Sequence, residues 1–183
     1  MSQLRSYHRD VARLISVEVA STELLPVTIA EAKLYSRVDG DVEDSIFDIL
    51  INSARADFET FTGKLFFQRN VTATFDCEGE SLMILPYLPV VSIVSVKKGD
   101  DDVEYTLKGD RININTVGEI DVIYNCGLFA DANAVETEAK LGALKHIASN
   151  YEDRQDVAEI SMALAEMPNS SRHHWMRYKN FSL

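Results

Sequence analysis

The stretch DVEDSIFDILINSARADFETFTG, from Asp41 to Gly63, gives the clearest secondary-structure signal in the sequence. Apolar residues recur in it at three- and four-residue spacing, which predicts an amphipathic helix. They are Ile46, Leu50, Ala54, Phe58 and Phe61, with Phe47 and Ile51 widening the stripe. Acidic residues at its start complement the helix dipole, and Gly63 is expected to end it in the left-handed conformation.

A shorter helix is predicted upstream, from Ile29 to about Ser36. Thr28 and Glu31 have the spacing of a capping box, in which each side chain bonds the other residue's backbone N–H. The segment Arg37–Asp41 contains a glycine and is expected to separate the two helices.

The first 25 residues give a weaker signal. Val11–Val19 is rich in apolar residues but follows neither the helical nor the strand period. We therefore expect an N-terminal arm, residues 1–25, that could include a short helix. Its first ten residues lack the apolar core of a signal peptide.

Downstream of the long helix the pattern becomes β-like. Short runs rich in β-branched residues alternate apolar with polar side chains over residues 67–127. The predicted strands are Asn70–Asp76, Ser81–Leu85, Val90–Lys97, Val103–Leu107, Arg111–Ile114 and Glu119–Tyr124. Helical spacing then returns over Ala134–Tyr151, and a further helix is predicted over Val157–Met167, ended by Pro168.

The predicted fold class is α+β, with a small helical bundle core and an inserted antiparallel β subdomain. The predicted divisions are an N-terminal arm (1–25), the first part of the helical core (26–66), the β insertion (67–127), the second part of the core (128–167) and a C-terminal docking tail (168–183).

Composition excludes several functions. The 183 residues carry a formal charge of −11, which argues against a protein that mainly binds phosphate backbones or anionic lipid. Two cysteines cannot form a disulfide framework and favour a reducing compartment. The most apolar stretch, Leu82–Val96, contains two prolines and is too short to span a membrane. These features predict a soluble, acidic, intracellular protein.

Candidate catalytic and metal-binding residues are few. Cys126 and His146 could form a nucleophile pair only if the fold brought them together, and their spacing does not indicate this. The acidic run Asp39–Asp44 lacks the pattern of an EF-hand loop and is better explained as a helix start. The pair His173-His174 would need metal ligands from elsewhere, and no metalloprotease, zinc, Walker or dinucleotide motif is present. We therefore predict no catalytic, cofactor-binding or metal site, and no enzyme.

The segment from Pro168 to Leu183 differs from the rest of the chain in charge. It has three cations and no acid, which leaves −14 for residues 1–167 out of the total of −11. Aromatic residues interleave with these cations. Such a pattern fits a nucleic-acid strip, a peptide that docks on a protein partner, or packing on its own domain. The candidate docking residues are Arg172, Trp175, Arg177, Tyr178, Lys179 and Phe181.

Four segments, in order, resemble the head–tail connector (adaptor) proteins of tailed bacteriophages. The first two are PVTIAEAK, residues 26–33, and the acid-started helix that closes on ETFTG, residues 59–63. The others are LPYLPVVSIVSV, residues 85–96, and GEIDVIYNCG, residues 118–127. The resemblance covers about residues 26–152. Beyond it, Pro168 and Tyr178 roughly match the family, whereas residues 172–175 depart from its pattern.

The resemblance implies a structural role at the head–tail junction of a virion, after assembly in the host cytoplasm. Such proteins form a ring, usually of twelve copies, beneath the portal protein. The ring extends the DNA channel and offers a platform to the tail or its stopper (tail terminator). No catalytic residue, cofactor or membrane partner comes with the resemblance. An acidic subunit suits a channel through which DNA passes without tight binding, because acidic walls repel phosphate.

Two alternatives belong to other classes. A small terminase-like DNA-packaging subunit would need a basic recognition helix, and Arg55 is the only basic residue between Asp44 and Thr62. Another tail or baseplate component is the second alternative. In the connector role, the tail is expected to be mobile in the free subunit and ordered against the portal or a neighbour. Because no predicted core lies beyond Pro168, deletion of residues 169–183 is expected to leave a folded protein.

Overall fold

The computed structural model describes residues 10–152 and 170–179. It confirms the predicted α+β class. The chain divides into two compact units. Of the described residues, the β unit holds 10–22 and Gln68–Leu128, and the helical unit holds Glu23–Phe67, 129–152 and 170–179. No helix in the described ranges is long and apolar enough to cross a membrane.

In the described ranges, the helical unit has two helices before the β unit in sequence and two after it. They are α1 (Ile29–Ser36), α2 (Asp44–Thr62), α3 (Thr137–Glu152) and α4 (Ser170–Trp175), which a 3₁₀ turn (Met176–Tyr178) follows. The predicted capping box is present at α1: the Glu31 N–H donates to Thr28 Oγ1 at 3.1 Å, and the Thr28 N–H donates to Glu31 Oε2 at 2.7 Å. Gly63 caps α2 with a φ of 70°, as predicted. The helix predicted over Val157–Met167 lies outside the described residues.

The buried face of α2 is rotated from the predicted stripe. The buried residues of the helix are Phe47, Ile51, Ala54, Phe58 and Thr62. Ile46, which the periodicity places in the core, is 37% exposed. The correction follows from the width of the apolar stripe, since the helix has more apolar residues than one buried face can hold.

The β unit is built on one sheet. Its strands are β1 (Asp10–Val11), β2 (Arg13–Val19), β3 (Arg69–Ile84), β4 (Val90–Lys98), β5 (Asp101–Asp102), β6 (Tyr105–Lys108) and β7 (Arg111–Cys126). The order is β1-β3-β7-β4-β5, with β2 also paired to β3 and β6 also paired to β7. All of these pairs are antiparallel except the two-residue pairing of β1 with β3.

Two strands of 16 residues form the centre of this sheet. β3 and β7 pair from Arg69 opposite Cys126 to Ile84 opposite Arg111, without a break. The sequence predicts two short strands in each place, separated near Gly79 and near Gly118. Both glycines have positive φ, 120° and 107°, but keep their pairing, so each bends a continuous strand and does not end it.

The N-terminal arm is strand and not helix. β2 pairs with β3 from Arg13 opposite Asp76 to Val19 opposite Val71, so the short helix considered for Val11–Val19 is wrong. The register shifts between Leu14 and Ser16, which marks a bulge. A bulge adds a residue to one strand and inverts the alternation. This explains why the sequence shows no clean strand period there.

Candidate functional site

The C-terminal segment, defined here as residues 170–179, folds onto the helical unit. α4 packs mainly against α3 and also contacts α2. Among the predicted docking residues, Trp175 and Tyr178 are buried. Exposed positions are taken by Arg172, Arg177 and Lys179, and Phe181 lies outside the described residues.

Trp175 is the largest fully buried side chain of the described chain. Its ring packs edge-on against Phe58 at a centroid distance of 5.4 Å, and its Nε1–H donates to the Ala139 carbonyl at 3.3 Å. Gly142 makes room for it, because a Cβ at that position would lie 2.2 Å from Trp175 Nε1. The indole is thus enclosed by α2 and α3, and no larger residue fits at position 142.

Tyr178 closes the same aromatic cluster. Its ring lies 5.5 Å from that of Phe58 and 6.1 Å from that of Phe129. Its hydroxyl donates to Glu136 Oε2 at 2.7 Å. Burial, and then the carboxylate of Glu136, raise the pKa of Tyr178 above its usual value, so the phenol stays protonated and keeps this bond.

These contacts correct two expectations about the tail. The core of the helical unit extends beyond Pro168, and Trp175 and Tyr178 belong to it. Of the three interpretations of the aromatic pattern, packing on the chain's own domain applies to these two rings. They are buried because the helical unit supplies Phe58, Phe129 and the Ala139 carbonyl as their partners. Docking on the portal or a neighbour through Arg172, Arg177 and Lys179 stays a prediction.

The three cations line the outer side of the segment. Arg172 donates to Asp57 Oδ1 at 2.9 Å, which raises the pKa of its guanidinium further. Arg177 lies 3.5 Å from Glu136. Lys179 Nζ lies 4.7 Å from the centre of the Phe61 ring, within the range of a cation–π contact. The side chains of Arg172 and Arg177 are 48% and 59% exposed, and Lys179 is exposed as well, so all three cations are accessible to a partner.

His174 is hydrogen-bonded to two side chains of α3. His174 accepts from Lys145 Nζ at 2.8 Å through Nε2, because a lysine ammonium can only donate, and its Nδ1–H then donates to Glu138 at 2.7 Å. The bond from His174 lowers the pKa of Glu138. Within residues 10–152 and 170–179, no three His, Cys, Asp or Glu side chains are grouped to hold a metal ion.

The two cysteines are buried in the β unit and are free thiols. Cys77 lies opposite Gly118 and Cys126 lies opposite Arg69, so about eight residues, or ~26 Å of strand, separate them. A disulfide needs Cα atoms within about 7 Å. Burial raises the pKa of the Cys126 thiol to about 11 and also raises that of Cys77, which disfavours the thiolate that a nucleophile requires.

His146 has a structural environment in the helical unit. Its Nδ1 lies 3.5 Å from Asp57 Oδ2, and its ring is 5.9 Å from that of Trp175. Burial lowers the pKa of His146, the Arg172 guanidinium lowers it further, and the Asp57 carboxylate opposes both. This residue therefore belongs to the packing around the C-terminal segment.

Sequence reasoning missed three residues on which this segment depends. They are Asp57, Glu136 and Gly142, the partners of Arg172, Tyr178 and Trp175 respectively. Asp57 is 115 residues from Arg172 in the chain, and no local pattern links them. Gly142 had a weak signal, since a glycine inside a helical pattern often marks a close approach.

Comparisons with known proteins show a fold likeness. No known family profile matches the chain, and no curated protein matches it in sequence. A chain from the neck of an empty gene transfer agent (GTA) particle, computed with C6 symmetry, matches with a TM-score of 0.71 and 17% identity over 92% of this chain and 97% of that one. A chain from the virion of a native GTA particle matches with a TM-score of 0.70 and 18% identity over the same shares. A chain from the neck of a native GTA particle, computed with C12 symmetry, gives 0.68 and 18%, again over 92% and 97%. This protein therefore shares its fold, over 92% of its length, with chains of gene transfer agent particles.

Proposed function

We propose that this protein is a structural component of the neck of a phage-like virion, a head–tail connector that forms a ring beneath the portal. The observation that carries the proposal is the fold likeness to chains from GTA necks over 92% of this chain and 97% of theirs. The likeness thus includes both the helical unit and the β unit that interrupts it in sequence. The ordered resemblance of residues 26–152 to the connector family is an independent argument from sequence.

The proposed assembly is a homo-oligomeric ring, with twelve copies as the expected number. A neck computed with C12 symmetry is compatible with that number. Identical side-by-side contacts that close by rotation give such a ring. Its further partners would be the portal protein on one side and the tail or its stopper on the other.

DNA would pass through this ring without being tightly bound. The formal charge of −11 makes the subunit repel phosphate. The packaging alternative requires a helix that presents cations to DNA. The single cation of α2, Arg55, instead donates to the Leu24 carbonyl at 3.1 Å and is partly buried. This contact favours the structural role. The proposed chain acts without catalytic residues or a cofactor.

Electron microscopy of the particles that carry this protein tests the proposal. We expect a ring coaxial with the portal, between head and tail, and particles without the gene should have heads that lack tails or leak DNA. Scattered copies on the capsid, or absence from the particle, would contradict it. Binding to duplex DNA separates the packaging alternative: sub-micromolar affinity that falls steeply with salt would favour that alternative, because the salt slope counts neutralised phosphates.

A further inference from the structure

An exposed aliphatic surface lies at the start of α2. Val42 is 92% exposed and Ile49 is 67% exposed, with Ile46 between them. Ile46 and Ile49, three residues apart, lie on one side of α2, and Val42 directly precedes Glu43, the N-cap of that helix. Leu34, on α1, is 81% exposed and adjoins Lys33, whose Nζ lies 2.5 Å from Asp44 at the start of α2. We call Leu34, Val42, Ile46 and Ile49 the aliphatic strip. Clustered exposed aliphatics of this kind mark interaction sites.

Acidic residues neighbour the aliphatic strip in sequence. Asp41 precedes Val42, Asp48 precedes Ile49, and Asp39 lies between the two helices; all three are exposed, as is one cation of this stretch, Arg37. The strip therefore has an apolar centre and a net negative rim. A partner that covers it should present an apolar centre with a positive rim.

The C-terminal segment has a surface of that kind. Met176 is 45% exposed, in the turn that follows α4. Around it in sequence are the exposed Arg172, Arg177 and Lys179. Asp57 and Glu136 each hold one arginine, but both guanidinium groups remain about half exposed. We call Met176 and these three cations the basic face.

The aliphatic strip and the basic face lie near opposite ends of α2. The basic face is anchored where Arg172 and Lys179 lie over Phe61. Ile49, at the end of the strip, is twelve residues earlier, which is ~18 Å along a helix axis. One subunit therefore cannot cover its own strip with its own basic face, but a second copy can.

We propose that the aliphatic strip of one subunit binds the basic face of the next. This inference rests on the proposed ring function and names the contact that builds the ring. Because the two surfaces differ, the interface is heterologous, and each subunit uses one surface on each side. Repetition of such a contact closes a ring when the rotation allows it. Met176 would contact the strip, and the cations would pair with Asp41 and Asp48 at its rim.

Disulfide trapping tests the contact directly. The variant Ile49→Cys/Met176→Cys should form a ladder of covalent oligomers under mild oxidation, in solution at high concentration and in particles that carry the variant. Each single variant can give at most dimers. The native thiols are buried and contribute little background. Val117→Cys/Met176→Cys is the matched control, because Val117 is similarly exposed, at 61% against 67% for Ile49, but lies in the β unit, and no ladder is expected. Far-UV circular dichroism establishes that each variant is folded.

A mixing experiment tests the head-to-tail direction. Ile49→Arg disables the strip and leaves the basic face, while Met176→Asp/Arg177→Glu does the reverse. Neither variant alone should form rings. Their mixture should give a capped one-to-one dimer and nothing longer, because one intact strip meets one intact basic face. Normal rings from either variant would overturn the interface.

The two proposals fail in different ways. If particles contain the ring but the double-cysteine variant gives no ladder in them, the interface is wrong and the connector function stands. If the ladder forms but the protein is absent from particles, the interface stands and the connector function is wrong. If neither ring nor ladder is found, both are wrong.

Discussion

The β unit and the helical unit bury their cores in different ways. In the β unit the buried residues alternate along two long strands that pair with each other in one continuous register. In the helical unit Phe58 packs against the nearby Phe66 and also against Trp175 and Tyr178, which come from the other end of the chain. The buried residues of the β unit can therefore be read from the alternation along each strand. Those of the helical unit depend on contacts between segments that are distant in sequence. A substitution in one core should therefore lower the stability of its own unit more than that of the other.

The largest expected effect is that of Trp175→Ala. It removes the edge-on contact with Phe58 and the bond to Ala139 and leaves a cavity, which should cost about 3–5 kcal/mol. Hydrogen exchange measures the loss unit by unit: amides of α2 and α3 should lose protection, while those of β3 and β7 keep theirs. The control is Phe75→Ala, because Phe75 is buried in the β unit and its loss should produce the opposite pattern. Equal loss in both units for Trp175→Ala would contradict the separation.

The next effect concerns the fit between Trp175 and Gly142. In Gly142→Ala the new methyl group would meet the indole at 2.2 Å, and overpacking of this kind costs about 1–3 kcal/mol. The double variant Gly142→Ala/Trp175→Phe should cost less than the sum of the single variants, since the smaller ring frees space. Denaturant unfolding gives the free energies for this cycle. Simple additivity would mean that the two residues do not share the space.

A smaller effect is expected where the helical unit depends on local sequence. Thr28→Ala removes the hydroxyl that accepts from the Glu31 N–H and should cost about 1 kcal/mol. Thr60→Ala, at an exposed position inside α2, is the matched control and should be neutral or slightly stabilising, because alanine favours helices. The comparison is made by denaturant unfolding. A loss at Thr60 equal to that at Thr28 would argue against the cap.

The sequence could predict those features that depend on local patterns, and not those that depend on contacts between distant segments. The capping box at Thr28, the α2 terminator Gly63 and the alternation of β3 and β7 depend on residues within a few positions of each other, and the structure confirms them. The arm was misassigned because a bulge between Leu14 and Ser16 hides the strand period.

The C-terminal segment was misjudged for the opposite reason. Its composition is distinctive, so it was expected to act apart from the core. The partners that hold Trp175 and Arg172 are Gly142 and Asp57, and neither forms a sequence pattern with the segment. Deletion of residues 169–183 should consequently destabilise the helical unit and not leave it intact.

The smallest effect expected is a pH dependence centred on His146. Burial lowers its pKa in the folded chain, Arg172 on α4 adds to this, and Asp57 on α2 opposes it. Above about pH 6.5 the imidazole is neutral in both the folded and unfolded chain. As pH falls below that value the unfolded chain takes up the proton first, so the free energy of unfolding decreases until the lower folded pKa is reached. The variant His146→Gln should lose this part of the slope, because glutamine takes up no proton in this range, while every other ionisable group is the same in both proteins. Urea unfolding at intervals between pH 7.5 and pH 5, the range about the usual histidine pKa, measures the difference between the two proteins. Identical slopes would mean that His146 is not held in its neutral form, and that the core around the C-terminal segment is more open to water than its burial indicates.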